Sequence, residues 1–490
     1  MNIPVFYNKI DAAAYLTGLD WLVFAITCCL CLSLILYGNR TKKSIPDITT
    51  NKQASLLEYL LMGRQLTLPL FISTLAATWY GNIFGVTQIA FEQGIYNLVT
   101  QGIFWYITYI VFALYLVKKI RSYDAVSLPE LVKNIYGNKS GKLTAILVFF
   151  KTLPITYAMS IGLLLQCFLP LTLFQATGVG VCFIVLYAVS GGLRSIVYSD
   201  VALFIIMCFG VSLVLLFSIR NFGGLRFLQE NLPASYFKPC GTKTLPTTLV
   251  WFLIACTTTF ISPSFYQRCM AAASNRVATQ GILISTFIWF MFDICTTFGA
   301  MYAKAVIPEA ESLYAYMTYG IQLLPVGFKG LLLASIAAAI IAALDSFLFI
   351  ASNILMYDFP IVRFKNIKLQ RTVSIIITAL LTILISILFD GRVESAWLIC
   401  KSYFSACLLL PILFGYFTPI FANDKLFVSN CIISCLSITI WRGYLMQYNP
   451  NIDGFYIGCF TTCLVFICYY LANSLVAKIK ASQIPGSKEY

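Results

Sequence analysis

Residues 66–94 form one apolar stretch long enough to cross a bilayer, yet its middle does not read as a clean helix. It runs Leu66 to Leu75, then Ala76-Ala77-Thr78-Trp79-Tyr80-Gly81-Asn82-Ile83-Phe84-Gly85, and on to Gly94. Two glycines and an amide sit at membrane depth, and glycine is a poor helix-interior residue. Lipid offers no hydrogen bonds to loosened backbone. A break therefore persists only where it is buried in protein or faces a watery cavity. An interrupted span of this kind points to a binding site near the midplane. The bland reading is helix packing, because Gly81 and Gly85 also have small-xxx-small spacing.

The rest of the chain has the same solvent. Of 490 residues, 60% are hydrophobic and 11% charged, which excludes a soluble domain and predicts an all-α, polytopic membrane protein. Hydropathy places about thirteen transmembrane helices at 20–37, 66–94, 96–117, 143–168, 172–190, 199–219, 247–264, 281–303, 330–356, 372–389, 394–420, 426–441 and 454–476. No polar segment is long enough for an attached soluble domain, so 1–490 reads as a single transmembrane domain. The first nineteen residues do not read as a cleavable signal peptide.

Positive charge orients the map. With the N-terminus outside, the inner gaps hold twenty-two Lys and Arg residues and the outer gaps nine. That asymmetry predicts a cytoplasmic C-terminus. The net charge of +14 is thus mostly a topology signal. It does not argue for nucleic acid, since no soluble basic patch carries stacking aromatics. Most of the seventeen cysteines, such as Cys28, Cys29, Cys167 and Cys208, lie inside spans and read as small packers. Histidine is absent, so zinc, haem and Ser-His or Cys-His chemistry are not expected, and no catalytic residue or cofactor is assigned.

A charge at the bilayer centre costs about 2.5–3.5 kcal/mol on insertion scales and needs a reason to be kept. Lys151, Asp293, Asp345 and Lys401 stand out, with Glu92 and Asp200 nearer span ends. Lys151 has the reach to snorkel, and Asp293 could cap a helix break or pair with a lysine. Asp345 follows the Ala- and Ser-rich run from Ser335 to Ala343, where small residues admit another backbone. A carboxylate there suggests a coupling-ion or proton site. Candidate solute contacts are Thr78, Tyr80, Asn82 and Gln88 in the broken span, with Thr257, Thr258, Lys401 and Tyr403 opposite. The alternative for the threonines is hydroxyl bonding to the preceding helical turn. Lys401 tilts the expectation towards a carboxylate-bearing solute.

Several segments together resemble the sodium/solute symporter family, relatives of proline, pantothenate, choline and sugar symporters. They are Gly191-Gly192-Leu193-Arg194 through Ser199-Asp200, Gln267-Arg268 before Met270-Ala271-Ala272, Ser127-Leu128-Pro129-Glu130 with Tyr136-Gly137, Ala338-Ala339 through Asp345-Ser346 to Asp358, and Ala76 to Gly81. They span roughly residues 55–360 in the family's order. The resemblance implies a LeuT-type core of two inverted five-helix repeats, about 66–219 and 247–420. The flanking helices are then 20–37, 426–441 and 454–476. It also implies a sodium ion held by the carbonyls of Ala76, Trp79 and Ala339 and by two adjacent hydroxyls. In this chain the hydroxyl positions are Ala342 and Ala343, and sodium wants hard oxygens. Asp345, Ser346 or Asp200 would have to substitute, or the coupling ion is H+ rather than Na+, or uptake is uncoupled. Leu203 is a second departure, where the family commonly has Gln.

The expected function is secondary active transport of a small polar solute, such as an amino acid, organic acid, sugar or vitamin, by alternating access. The alternative is a ligand-binding membrane sensor with a transporter fold. An intramembrane enzyme is the third reading, and no reactive spacing supports it. The expected setting is the lipid bilayer of a bacterial inner membrane, with the oligomeric state open.

Overall fold

The computed structural model describes residues 12–40, 52–188, 192–360, 364, 366–389, 393–448 and 452–482. Among the described residues the chain is helical throughout, and no β-strand forms. Among the described residues, eight helices are long and apolar enough to cross a membrane, or nine if a bent pair, Thr247–Phe260 and Pro263–Ala271, is one span. The expectation of thirteen also includes interrupted and shorter apolar segments, which this length criterion does not count. The broken span is two helices of 10 and 11 residues, Leu68–Ala77 and Ile83–Gln93. Gly18–Leu30, Leu173–Leu186 and Ala406–Phe417 are apolar but short.

The break falls where the glycines and amide predict it. The first half ends at Ala77, a single 3₁₀ turn covers Tyr80–Asn82, and a second helix starts at Ile83. That helix stops at Gly94, whose φ of 63° suits a residue without a Cβ. Gly81 is needed for a different reason. A Cβ there would run into the Ala343 methyl and the Tyr157 ring. The small residues of Phe328–Asn353 thus let the broken backbone approach closely.

A second break was not expected from the hydropathy pattern. The helix Leu245–Phe260 ends at Ile261, and Ser262-Pro263 starts another helix, Pro263–Ala271, bent by 40° from Thr247–Phe260. Proline is suited to the first helical turn, where its missing N–H costs nothing. The two broken elements meet end to start. Leu66 N–H donates to the Ala271 carbonyl at 3.1 Å, and Ala273 N–H donates to the Leu66 carbonyl at 3.0 Å.

Phe328–Asp358 is the central element, with 83% of its most apolar window buried, against 22% for Gly454–Leu475. It packs most closely on Leu193–Phe222, where Gly210 lies against Ser335. At one end of that core, the Ser127 side chain accepts from Glu130 N–H at 3.1 Å and donates to Asp358 at 2.6 Å. The Ser-Leu-Pro-Glu segment is therefore a helix N-cap, and it joins the last residue of the central span.

Candidate functional site

Both breaks open onto one cavity of about 160 Å³. Trp79, Tyr80 and Asn82 come from the first break, and Thr258, Ser262 and Pro263 from the second. Gln101 and Trp105 line it from the helical segment Leu98–Arg121. Lys151, Thr156 and Tyr157 come from Asn138–Gln166, which is itself interrupted at Leu153-Pro154. Asp293 projects from Asn275–Val306, and Phe347 from the central helix.

Asp293 is buried and receives the hydroxyls of Tyr80 on one carboxylate oxygen and Tyr106 on the other. The Tyr80 hydroxyl also lies 3.2 Å from the Trp289 carbonyl. The Trp289 indole N–H reaches back to the Ala76 carbonyl at 3.2 Å, so one residue contacts the broken span both before its gap and within it. Across the cavity Lys151 donates to the Ile261 carbonyl at 2.8 Å. That carbonyl ends the first half of the second broken helix, where a cation complements the helix dipole. Among the described residues neither Lys151 nor Asp293 belongs to an ion pair.

The walls are otherwise aromatic, with polar points. Trp79 packs edge-on to Trp105 at 4.8 Å and to Tyr109 at 5.4 Å between ring centroids. The Asn82 side-chain oxygen, the Gln101 amide nitrogen and the Thr258 hydroxyl have no hydrogen-bond partner among the described residues. Buried polar groups without partners are uncommon and expensive, so three on one cavity describe a surface made for a polar guest or water. Apolar walls with a few convergent polar groups are the usual make-up of a small-molecule site.

A second buried cluster lies beneath the first break. Arg268 is 0% exposed, and its guanidinium donates to Ser346 Oγ at 3.0 Å, Thr74 Oγ1 at 3.1 Å and Ser264 Oγ at 3.1 Å. Asp200 accepts from Thr74 and lies 4.0 Å from the guanidinium. Asp345 is also buried and within electrostatic reach of Arg268. This cluster corrects the reading of Arg268 as a loop charge after a span ending at 264.

A profile of the sodium:solute symporter family matches residues 59–425. The chain belongs to that family. It is 25% identical over 280 residues to the sodium/pantothenate symporter of Haemophilus influenzae, covering 54% of this chain and 58% of the relative. It is 24% identical over 325 residues to the sodium/myo-inositol cotransporter 2 of Oryctolagus cuniculus, covering 56% and 47%. The chain thus spans about half the length of these curated relatives. Its fold matches that of a Na⁺-coupled sialic acid symporter in a substrate-bound outward-open state, with a TM-score of 0.75, 14% identity, and 93% and 98% of the two chains covered. The fold is therefore LeuT-type, and this family member is an integral membrane protein.

The sodium position implied by the family fits sodium poorly here. Ala342 and Ala343 are fully buried and bring methyl groups where hydroxyls would be needed. The Ala76 carbonyl already accepts from Trp289 and, at 3.4 Å, from Trp79 N–H. Trp79 turns its ring to the cavity, and Ala339 is buried in the central helix. Ser346 and Asp200 belong to the Arg268 cluster, which already holds a fixed cation, and Asp345 is within electrostatic reach of it.

Of the expected solute contacts, the structure brings Tyr80, Asn82 and Thr258 together on the cavity. Thr78 and Thr257 instead bond back to their own helices, at 2.8 Å to Thr74 and 2.8 Å to Ile254 carbonyls. Gln88 bonds Glu92 at 3.1 Å and Ser312 at 3.2 Å, away from the cavity. Tyr403 lies 3.2 Å from Thr439, also off the cavity. The Lys401 side chain lies outside the described residues. Lys151 bonds a carbonyl rather than snorkelling, and Asp293 bonds tyrosines rather than a lysine. Sequence reading missed Gln101, Tyr106 and Tyr157 as contributors. An amide at mid-span was the available signal for Gln101, whereas nothing separates these tyrosines from the other aromatic residues of their spans.

Proposed function

We propose that this chain is a secondary transporter that carries a small polar solute through the cavity by alternating access. The observation that carries the reading is that both helix breaks, at Thr78–Asn82 and Ile261–Ser262, face the same polar, aromatic-walled space. In the inverted-repeat arrangement, 66–219 and 247–420 each contribute a broken first helix, and one bundle rocks against the other. Trp79, Trp105 and Tyr157 would stack on the solute's apolar faces. Asn82, Gln101 and Thr258 would satisfy its polar groups, with Lys151 as the cationic contact. The named relatives carry pantothenate or myo-inositol, both hydroxylated, and solutes of that kind suit these contacts.

The orientation proposed is N-terminus outside and C-terminus cytoplasmic, in a bacterial inner membrane. The test is counterflow in vesicles containing the purified chain and preloaded with unlabelled pantothenate or myo-inositol. Exchange of the labelled solute above the level of empty vesicles supports transport. Saturable binding of either solute without exchange would assign the sensor role instead.

A further inference from the structure

We propose that Asp293 is a proton-exchanging site on the cavity and that Tyr80 passes its charge state to the broken span. The proposal rests on the transporter reading, for which it supplies the coupling ion. It stands on a hydrogen-bond arrangement with two balanced forms.

The Tyr80 hydroxyl has one hydrogen and two acceptors in reach, Asp293 Oδ1 and the Trp289 carbonyl. With Asp293 ionised, Tyr80 and Tyr106 each donate to one carboxylate oxygen. When a proton binds Oδ1, the new O–H donates to the Tyr80 oxygen. The Tyr80 hydrogen then turns to the Trp289 carbonyl, while Tyr106 keeps donating to Oδ2. Every donor and acceptor is satisfied in both forms, and the net change is one proton and one positive charge taken from the cavity. Release to the opposite side reverses each step.

The surroundings favour this carboxylate over others in the chain. A buried charge needs a partner ion or a proton, and the two phenols supply hydrogen bonds without charge. The titratable groups facing Asp293 are Tyr80 from the broken span, Tyr106 and Tyr109 from Leu98–Arg121, and Lys151 and Tyr157 across the cavity. On the far side of its helix, Cys208 and Tyr316 lie near Cys295 instead. Asp200, by contrast, lies 4.0 Å from the Arg268 guanidinium, and Asp345 is within electrostatic reach of it. The chain has no histidine to carry the proton. The readout is direct, because Tyr80 lies in the gap itself and Trp289 also holds Ala76 on its other side.

The test needs no identified solute. The purified full chain in lipid is followed by infrared difference spectroscopy and by tryptophan emission as buffer is taken from alkaline to acidic. The wild type should gain the carbonyl band of a protonated carboxylic acid, with an emission step at the same pH from Trp79, Trp105 and Trp289. Asp293→Asn should lose that band component and the step, whereas Asp200→Asn and Asp345→Asn should keep the band. Tyr80→Phe should keep the band and lose the step. An unchanged band in Asp293→Asn overturns the site, and an unchanged step in Tyr80→Phe, or no step in the wild type, overturns the relay. Failure of solute exchange would sink the transporter reading and leave these outcomes standing.

Discussion

The indole N–H of Trp289, on Asn275–Val306, donates at 3.2 Å to the carbonyl of Ala76, in the last turn before the gap of the broken span. That carbonyl is one the family would aim at sodium, and the adjacent side-chain positions are methyls. A tryptophan from a neighbouring helix thus supplies a hydrogen bond to the backbone at the edge of the gap. The break is stabilised from within the protein, as backbone in lipid requires.

Sodium should therefore matter little. Replacing external sodium by choline is expected to leave the initial uptake rate of any transported solute unchanged. The check is radiolabelled uptake in vesicles under the two salts. Uptake that collapses without sodium would require a sodium site elsewhere.

Gly81 tests the packing of the break. Gly81→Ala puts a methyl into Ala343 and the Tyr157 ring, and Ala343 on a rigid helix has little room to give. Overpacking of this kind costs about 1–3 kcal/mol. A lowered midpoint in detergent thermal unfolding is expected, and an unchanged midpoint would mean that the break is loosely packed.

Arg268 is expected to be structural. Arg268→Met leaves Asp200 buried without its cation and Thr74 and Ser346 without their donor. Removing one partner of a buried pair costs about 3–5 kcal/mol. The double variant Arg268→Met/Asp200→Asn should recover part of that loss, read as monodisperse yield and unfolding midpoint.

On the cavity the ranking of carboxylates changes. Sequence alone favours Asp345 as the more sensitive position, because of its small-residue surroundings. Asp293 lies on the cavity wall, whereas Asp345 is buried in the central helix, off the cavity lining and within electrostatic reach of Arg268. Asp293→Asn should therefore depress uptake at preserved expression more than Asp345→Asn, whose effect should fall on stability. Parallel uptake and unfolding measurements on the two variants separate these outcomes.

Lys151→Met is expected to weaken uptake of anionic solutes and to loosen the second break, since the Ile261 carbonyl loses its donor. Lys151→Arg keeps the charge and should restore part of both. Uptake at varied solute concentration should show the loss chiefly as a raised KM.

Much of this was legible in the residues. Gly81 and Asn82 announce the first break, whereas Gly85 sits inside its second helix; a glycine and an amide at membrane depth weaken a regular helix and add a polar group that lipid cannot satisfy. The methyls at Ala342 and Ala343, set against the family resemblance, motivate the expectation of a poor sodium site. The second break was hidden, because Phe260-Ile261 keeps hydropathy high up to the turn and Ser262-Pro263 then resembles a span end. That miss displaced Arg268 into a loop. The threonines Thr78, Thr257 and Thr258 are alike in sequence, and only helix phase decides that Thr258 faces the cavity while the other two bond backwards. The meeting of Tyr80, Tyr106 and Asp293 joins three separate helices, and no local pattern encodes it.

The central claim is that solute crosses through the cavity between the two breaks, driven by protons through Asp293. Its most direct test is labelled pantothenate and myo-inositol uptake into vesicles containing the chain, with and without an inside-alkaline pH gradient. The account predicts accumulation above the no-gradient level in the wild type and a gradient ratio of one for the residual uptake of Asp293→Asn. Equal stimulation by the gradient in both proteins would contradict it.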